Sequence, residues 1–308
     1  MDALPYPFYD DIVLTLRALP DFDANFHASD EFVAWKQAFD RHKAKRTIVT
    51  LHLGYDSHGI LGLSPFPNMP SIELLYRVNR KYLQVHLVCV YFLAHTNCTR
   101  DVEKLVNYLL PSMNRPKLMI RTNVPVVHLS ALVTALGKVN FYEIDYSNTG
   151  ICSNNYDFLA ESGIYVAFLK KQLVTDCRTL VWTRPPFLED TKRAIETFLT
   201  SKPFKKVKIA MDQFDFSLFE AIFHSYNGSG SIEGAWNNEV STLLRSFELG
   251  LQEKQAKPEE LVWTRPNGVK VTARFRVECT NEKSDVWGRC VSTEVISLEK
   301  LTFLPPNF

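Results

Sequence analysis

Histidine and cysteine are the residues from which this sequence could build a metal centre or a nucleophilic site. Eight histidines and six cysteines are spread along 308 residues, without an H-x-x-x-H, H-E-x-x-H or C-x-x-C motif. His95 and Cys98 lie close together, but two ligands do not make a metal site. A nucleophilic site would need His52, His58 and Cys89 to meet through tertiary contacts, and no G-x-S-x-G motif is present. The sequence therefore predicts a protein that is not an enzyme and holds no cofactor.

The sequence also lacks a motif that indicates phosphate binding or acid–base catalysis. The glycine-rich run at 227–234 lacks both the lysine of a phosphate-binding loop and the G-x-G-x-x-G spacing, which predicts a flexible connection. Two pairs of acidic residues are typical of a solvated helix face and of a loop cap: Asp10 with Asp11, and Asp21 with Asp23. We therefore expect structural roles for these segments.

Basic residues cluster at 41–46 and at 202–208. Such clusters form either a surface for RNA or phosphate, or the solvated end of a helix and edge of a strand. The formal net charge of the chain is only +1, with 35 basic and 34 acidic residues, which favours the second interpretation. No nucleic-acid partner is expected.

Composition and hydropathy exclude further classes. The chain is 46% hydrophobic and 22% charged, which is too apolar for intrinsic disorder. Its longest apolar run, 87–94, is far shorter than the roughly 20 residues of a membrane-spanning helix. Residues 1–11 lack the basic start and apolar core of a signal peptide, so the cysteines are expected to be reduced thiols in the cytoplasm or nucleus.

Hydrophobic periodicity predicts the elements that must position any functional residue. Residues 5–45 are predicted to be helical, with one helix ending near Pro20 and a second carrying Phe32, Trp35 and Phe39 on its apolar face. Strands and helices alternate after Arg46, which is typical of βα units and a mainly parallel sheet. Strands are predicted at 47–53, 82–92, 117–121, 139–146, 179–183 and 206–211. Helices are predicted at 102–110, 126–136, 165–174, 189–200 and 216–226.

One hexapeptide occurs twice. Leu-Val-Trp-Thr-Arg-Pro stands at 180–185 and again at 261–266, and the offset of 81 residues equals three steps of 27. One such step from Leu180 reaches Val207, and a second reaches Gly234 in a possible strand. A period near 27 with one strand and one helix lies in the leucine-rich-repeat range. The alternative is a plain α/β domain with irregular connections.

The last fifty residues alternate between apolar and polar side chains. Residues 260–265 and 269–279 flank Asn267-Gly268, a strong signal for a β hairpin, and 286–296 could add a third strand. Residues 229–257 are predicted to be mostly one helix that ends in a polar segment. A β-rich C-terminal region is therefore expected.

The N-terminal segment resembles an F-box. The resemblance rests on Leu4-Pro5, on the apolar residues that follow, on Trp35 and on a closing basic segment; the apolar residues are Phe8, Ile12, Leu14, Leu16, Phe22 and Phe26. The whole chain is similar to the divergent F-box-like families that are expanded in nematodes. This resemblance implies a three-helix module that docks onto a Skp-type adaptor of a cullin–RING ubiquitin ligase, while the rest of the chain binds a protein target.

We therefore predict an α/β fold with an F-box-like helical head (1–46), an irregular leucine-rich-repeat-like body (47–257) and a β-rich hairpin region (258–308). The predicted adaptor-binding residues form one stripe of the head: Leu4, Pro5, Phe8, Ile12 and Leu16. An exposed stripe of this kind could enter a groove on a partner. Alternatively, it could pack on the body as a terminal cap and bind no adaptor.

Overall fold

The computed structural model describes residues 13, 33–56, 59–63, 75–90, 98–99, 101–120, 126–146, 163–182, 189–209, 214–226, 228–234, 253–257, 260–282 and 291–304. The chain forms two compact units, Met1–Tyr142 and Glu143–Phe308. Each unit combines helices with strands, which confirms the predicted α/β class. The boundaries 1–46, 47–257 and 258–308 stay a prediction. No helix within the described ranges has the length and apolar character that crossing a bilayer requires.

In the described part of the first unit, one helix precedes a small sheet and two more follow its first strands. Its described helices are α1 (Val33–Lys45), α2 (Val102–Leu109) and α3 (Val126–Leu136), with short 3-10 turns at Arg80–Tyr82 and Leu110–Ser112. Its strands are β1 (Thr47–Asp56), β2 (Gly59–Leu63), β3 (Leu83–Val90), β4 (Cys98–Thr99) and β5 (Lys117–Ile120). Strand β2 lies in a segment rich in glycine and proline, residue types that are depleted in strands.

Parallel pairing forms the centre of the first sheet. The strand order is β5-β3-β1-β2-β4; β3 is parallel to β1 and β5, while β2 is antiparallel to β1 and β4. Strand β3 is mostly apolar, a composition typical of a strand that is buried on both faces. Instead, His86 is exposed and Cys89 is half-buried, whereas Val88 and Val90 are buried. Only one face of this strand is therefore fully covered.

The second unit alternates strands and helices and then becomes wholly β. Its helices are α4 (Gly163–Val174), α5 (Glu189–Ser201) and α6 (Phe216–Ser225). Its strands are β6 (Glu143–Tyr146), β7 (Thr179–Trp182), β8 (Lys206–Ile209), β9 (Gly230–Glu233), β10 (Glu253–Lys257), β11 (Glu260–Thr264), β12 (Lys270–Glu282) and β13 (Val291–Leu304). The predicted strand at 139–146 is shorter than expected, since β6 starts at Glu143.

Strands β6 to β9 are parallel and lie in chain order, with one helix in each connection. Strand β9 then pairs antiparallel with β13, and the sheet continues through β12, β11 and β10, all antiparallel. The predicted hairpin is confirmed: β11 and β12 pair across a turn in which Gly268 has φ 81°. A positive φ favours glycine. The prediction of helix at 229–257 is wrong at both described ends, where β9 and β10 are strands.

The two hexapeptide copies occupy different kinds of strand. Leu180 in β7 pairs with Val207 in β8, as the 27-residue step predicts. Val207 pairs next with Ile232, and Gly234 lies outside β9. The second copy begins at Leu261 in the antiparallel hairpin, so the offset of 81 residues does not correspond to three successive parallel units.

One face of the second sheet forms a core under helices. A single in-register row crosses seven strands and is almost fully buried: Ile144, Leu180, Val207, Ile232, Leu301, Ala273 and Leu261. Tyr165 of α4 contacts Trp182, and Phe223 of α6 contacts Trp263, with ring centroids 5.9 and 5.5 Å apart. Both tryptophans are fully buried. Helix α5 packs on both α4 and α6, so these three helices cover this buried face.

Candidate interaction surface

The predicted adaptor-binding residues, Leu4, Pro5, Phe8, Ile12 and Leu16, lie outside the described residues. Val13 is described and is fully buried in a cluster with Ala38 and Phe39 of α1. Trp35 packs against the same cluster, with its ring centroid 6.4 Å from that of Phe39. Val13 and α1 therefore share a small apolar cluster, and Trp35, the tryptophan on which the F-box resemblance rests, packs against it.

Arg46 links this head to the first sheet. Its guanidinium donates one hydrogen bond to the Val13 carbonyl (2.7 Å) and another to Gln84 Oε1 (3.0 Å). Partial burial lowers the pKa of Arg46 from its ordinary value. In the same basic cluster His42 is fully buried and meets the Tyr82 ring edge-on at 5.2 Å. Two members of the 41–46 cluster therefore have structural contacts.

The structure brings together two residues considered for nucleophilic chemistry. His52 of β1 and Cys89 of β3 are direct partners in the parallel register, and both are half-buried. Burial lowers the pKa of His52, which favours a neutral imidazole. The same row continues to Leu63 on one side and Met119 on the other, and neither neighbour supplies an acid to orient the ring. His58, the third residue considered, lies outside the described residues.

Metal ligation has no further support in the part of the chain that the structure describes. Those residues include no group of three or more His, Cys, Asp or Glu side chains that could hold an ion. Cys98 lies in β4, and His95 is not among the described residues. Neither Cys89 nor Cys177 forms a disulfide, and burial raises the pKa of Cys177 to about 11, so this thiol stays protonated.

The glycine-rich run is part of the sheet. Residues 230–233 form β9 between β8 and β13, so the prediction of a flexible connection is wrong there. A Cβ atom at Gly230 would lie 2.5 Å from the Phe204 carbonyl oxygen and 2.6 Å from the Tyr226 hydroxyl. Glycine is therefore required by the close approach of neighbouring atoms, and phosphate binding has no role in that explanation.

A buried arginine joins the hairpin to helix α6. Arg265, only 4% exposed, donates hydrogen bonds from its guanidinium to the carbonyls of Ile222 and Tyr226 at the end of α6. The same guanidinium lies over the rings of Phe223 and Phe303. A cation at a helix C-terminus is favourable because the last carbonyls lack intrahelical partners. Desolvation lowers the pKa of Arg265 from its ordinary value. The repeated hexapeptide gave no indication of this role.

The second face of the same sheet carries two parallel rows of side chains, all of them polar except Val262. The charged row runs across β11, β12, β13, β9 and β8 as Glu260, Arg274, Lys300, Glu233 and Lys208. The hydroxyl row runs across the same strands as Val262, Thr272, Thr302, Ser231 and Lys206. Every residue of both rows is exposed or half-buried. We call these ten residues, together with exposed Lys270, the polar face.

Ion pairs organise the charged row. Glu233 accepts from Lys206 at 2.9 Å and from Lys300 at 3.1 Å, and Glu260 accepts from Arg274 at 3.3 Å. Partial burial opposes the ionisation of Glu233, but the hydrogen bonds from the two lysines outweigh it, so the pKa of Glu233 lies below its ordinary value. This carboxylate is therefore ionised at neutral pH.

The accessible part of the polar face ends near β8. Further along the two rows, Thr179 of β7 and Asp145 of β6 are buried. The sequence showed the cluster at 202–208 but not the cations that face it from other strands. Only strand register brings Lys206 and Lys208 beside Lys300, which lies some ninety residues later in the chain.

The comparisons with known proteins give no family. No family model matches the sequence, and neither the curated proteins nor the solved structures include a detectable relative. Function is therefore argued from two features, the apolar cluster of Val13, Ala38 and Phe39 and the polar face.

Proposed function

We propose that this protein is an F-box-like substrate-recognition adaptor of a cullin–RING ubiquitin ligase, without enzymatic activity and acting in the cytoplasm or nucleus. The head binds a Skp-type adaptor through Leu4, Pro5, Phe8, Ile12 and Leu16. The body, which we regard as leucine-rich-repeat-like, presents the polar face to a protein target. The sequential parallel strands β6–β9, with a 27-residue step between β7 and β8, support that description of the body.

The observation that carries this proposal is the packing of Val13 with Trp35 and Phe39. A small helical module needs its closing aromatic residue to pack against the inner side of a preceding helix, because so short a segment has few other side chains for a core. If Val13 lies on the side of its helix that faces the core of the module, residues on other sides of the same helix are left to enter a groove on a partner.

Co-purification with a Skp-type adaptor tests the proposal. We expect the intact protein to bind, and Phe8→Ala combined with Ile12→Ala to abolish binding while the circular dichroism spectrum and melting temperature stay unchanged. The matched control, Ile164→Ala with Val174→Ala, removes two exposed apolar side chains from α4 and should leave binding intact. Absence of binding by the intact protein, under conditions where a known F-box binds, would contradict the proposal.

The second candidate function is an interaction or structural protein whose head only caps the body. The hydrogen bonds of Arg46 to Val13 and Gln84 favour it, since they tie the head to β3. In that case the Phe8→Ala, Ile12→Ala variant lowers the melting temperature, because the stripe is buried in the native state. The same pair of measurements, binding and melting temperature, therefore separates the two candidates.

A further inference from the structure

We infer that the polar face of the second unit binds an acidic, extended segment of a partner protein. This inference names the chemistry of the target and rests on the proposed function only in taking the body as the target-binding part. Three features of the face carry it: an excess of cations, an opposed pair of like charges, and a row of small side chains along which a peptide can lie.

The excess of positive charge is local. Five cations lie on the polar face against two acids; the cations are Lys206, Lys208, Lys270, Arg274 and Lys300, and the acids are Glu233 and Glu260. The whole chain has a formal charge of only +1. Among the described residues no ion pair is recorded for Lys208 or Lys270, both of which are exposed. The face therefore has the field that attracts an anionic partner.

Like charges oppose each other within the charged row. Arg274 and Lys300 are direct partners in the β12–β13 register, and directly opposed like charges destabilise a sheet. Glu260 and Glu233 offset part of that repulsion from either side, but Glu233 is shared between Lys300 and Lys206 of β8. An additional carboxylate placed between Arg274 and Lys300 would remove the remaining repulsion, so binding such a group is favoured.

The hydroxyl row supplies room for a peptide backbone. Val262, Thr272, Thr302 and Ser231 are short side chains between the charged row and Lys270. The four strands that carry these short side chains, at about 4.8 Å spacing, give a stretch of roughly 14 Å, the length of about four extended residues. An extended segment with acidic residues at alternate positions can then direct its carboxylates toward the charged row. The rows contain no aromatic side chain on which nucleobases could stack, which favours a peptide over a single-stranded nucleic acid.

Fluorescence anisotropy with the full-length protein tests this inference. The probe is a labelled ten-residue peptide of alternating glutamate and serine, and its comparison peptide has glutamine at every glutamate position. We expect binding of the glutamate peptide that weakens as salt is raised, because exposed charges are screened. Equal binding of both peptides, or no binding of either at low salt, would overturn the inference.

Charge reversal locates the site. Lys208→Glu combined with Lys270→Glu should weaken peptide binding about tenfold, because each reversal replaces an exposed attraction by a repulsion. The matched control is Lys104→Glu with Lys138→Glu, which changes the net charge of the protein by the same amount. Its two residues lie in the first unit, in α2 and just after α3, so it should alter affinity less than about twofold. Equal weakening by both variants would show a nonspecific charge effect and contradict the assigned face.

Two further arms separate the possible failures. The first uses a labelled single-stranded oligonucleotide. If it binds more tightly than the peptide and depends equally on Lys208 and Lys270, the partner of this face is a nucleic acid and the peptide inference is contradicted. The Skp-type co-purification is repeated with the Lys208→Glu, Lys270→Glu variant and should be unaffected. If the unaltered protein binds the adaptor but not the glutamate peptide, only this inference is rejected. If it binds the peptide but not the adaptor, only the adaptor role is rejected.

Discussion

The two faces of the second sheet are made by the same strands and differ in almost every physical property. The buried face lies under α4, α5 and α6 and carries Trp182, Trp263 and Phe303. The polar face carries the charged and hydroxyl rows, whose side chains reach solvent. The alternation of side chains along a strand produces this difference, since successive residues point to opposite faces.

Because the faces are separate, stability and the binding that we propose for the polar face should change independently. Residues of the buried face make contacts that exist only in the folded state, so their loss lowers the free energy of unfolding. Charges on the polar face are already hydrated, so their loss changes folding little and binding more. Substitutions on the two faces should therefore have different signatures in unfolding and binding experiments.

The largest difference in stability is expected between two arginine substitutions, one on each face. Arg265→Ala removes the buried guanidinium that joins the hairpin to the end of α6 and should lower the free energy of unfolding by about 3 kcal/mol. Arg274→Ala removes an exposed guanidinium from the polar face and should cost less than about 1 kcal/mol. Urea denaturation of both variants measures the comparison, and similar losses of stability would contradict the division between the faces.

A smaller effect is expected from a buried hydroxyl. Tyr226 Oη donates to the Phe204 carbonyl (2.6 Å) and accepts from the Phe204 amide (3.2 Å), so Tyr226→Phe leaves both backbone groups without this partner. We expect a loss of about 2 kcal/mol in urea denaturation. A variant as stable as the unaltered protein would show that these bonds contribute nothing.

The pH dependence of the same residue gives a second measurement. Burial raises the pKa of Tyr226 to about 12, whereas an unfolded tyrosine ionises near 10. The protonated hydroxyl therefore contributes its full stabilisation below about pH 10 and loses it as the pH rises toward about 12. The difference in unfolding free energy between the unaltered protein and Tyr226→Phe should shrink across this interval.

The smallest effect is expected on the polar face. Glu233→Gln removes the carboxylate shared by Lys206 and Lys300 and should lower stability at pH 7 by less than about 1 kcal/mol. Because the pKa of Glu233 is depressed, its contribution is present above its unfolded pKa and disappears as the pH falls through the folded value. Thermal melts of the unaltered protein and the variant should therefore converge in acid, and a difference that persists there would contradict the ion-pair explanation.

Regular elements with a strong local signal were predicted well. Helix α3 spans the predicted 126–136, and β7 and α5 begin at their predicted residues. Asn267-Gly268 correctly located the hairpin turn, because its backbone requirement is local. The wrong predictions lie where pairing with a distant strand determines the secondary structure. The polar residues of β10, for example, form a strand only because β11 lies beside them.

The polar face could not be predicted in this way. Lys208 and Arg274 become parts of one row because β9 and β13 pair, and nothing local encodes that pairing. Arg265 illustrates the same limit, since its surroundings in sequence match those of the earlier hexapeptide copy. Its partners, Ile222 and Tyr226, are some forty residues away in the chain.

The sequence by itself determined the α/β class, most of the helices and strands of the second unit, and the scarcity of catalytic motifs. Periodicity and turn chemistry act over a few residues, so they can be recognised without the fold. Only the tertiary structure decided that β9 joins a parallel run to an antiparallel one, and that lysines and an arginine from distant strands share one face. Strand order and register are set by packing of the whole unit, and that packing places these charges together on one accessible face.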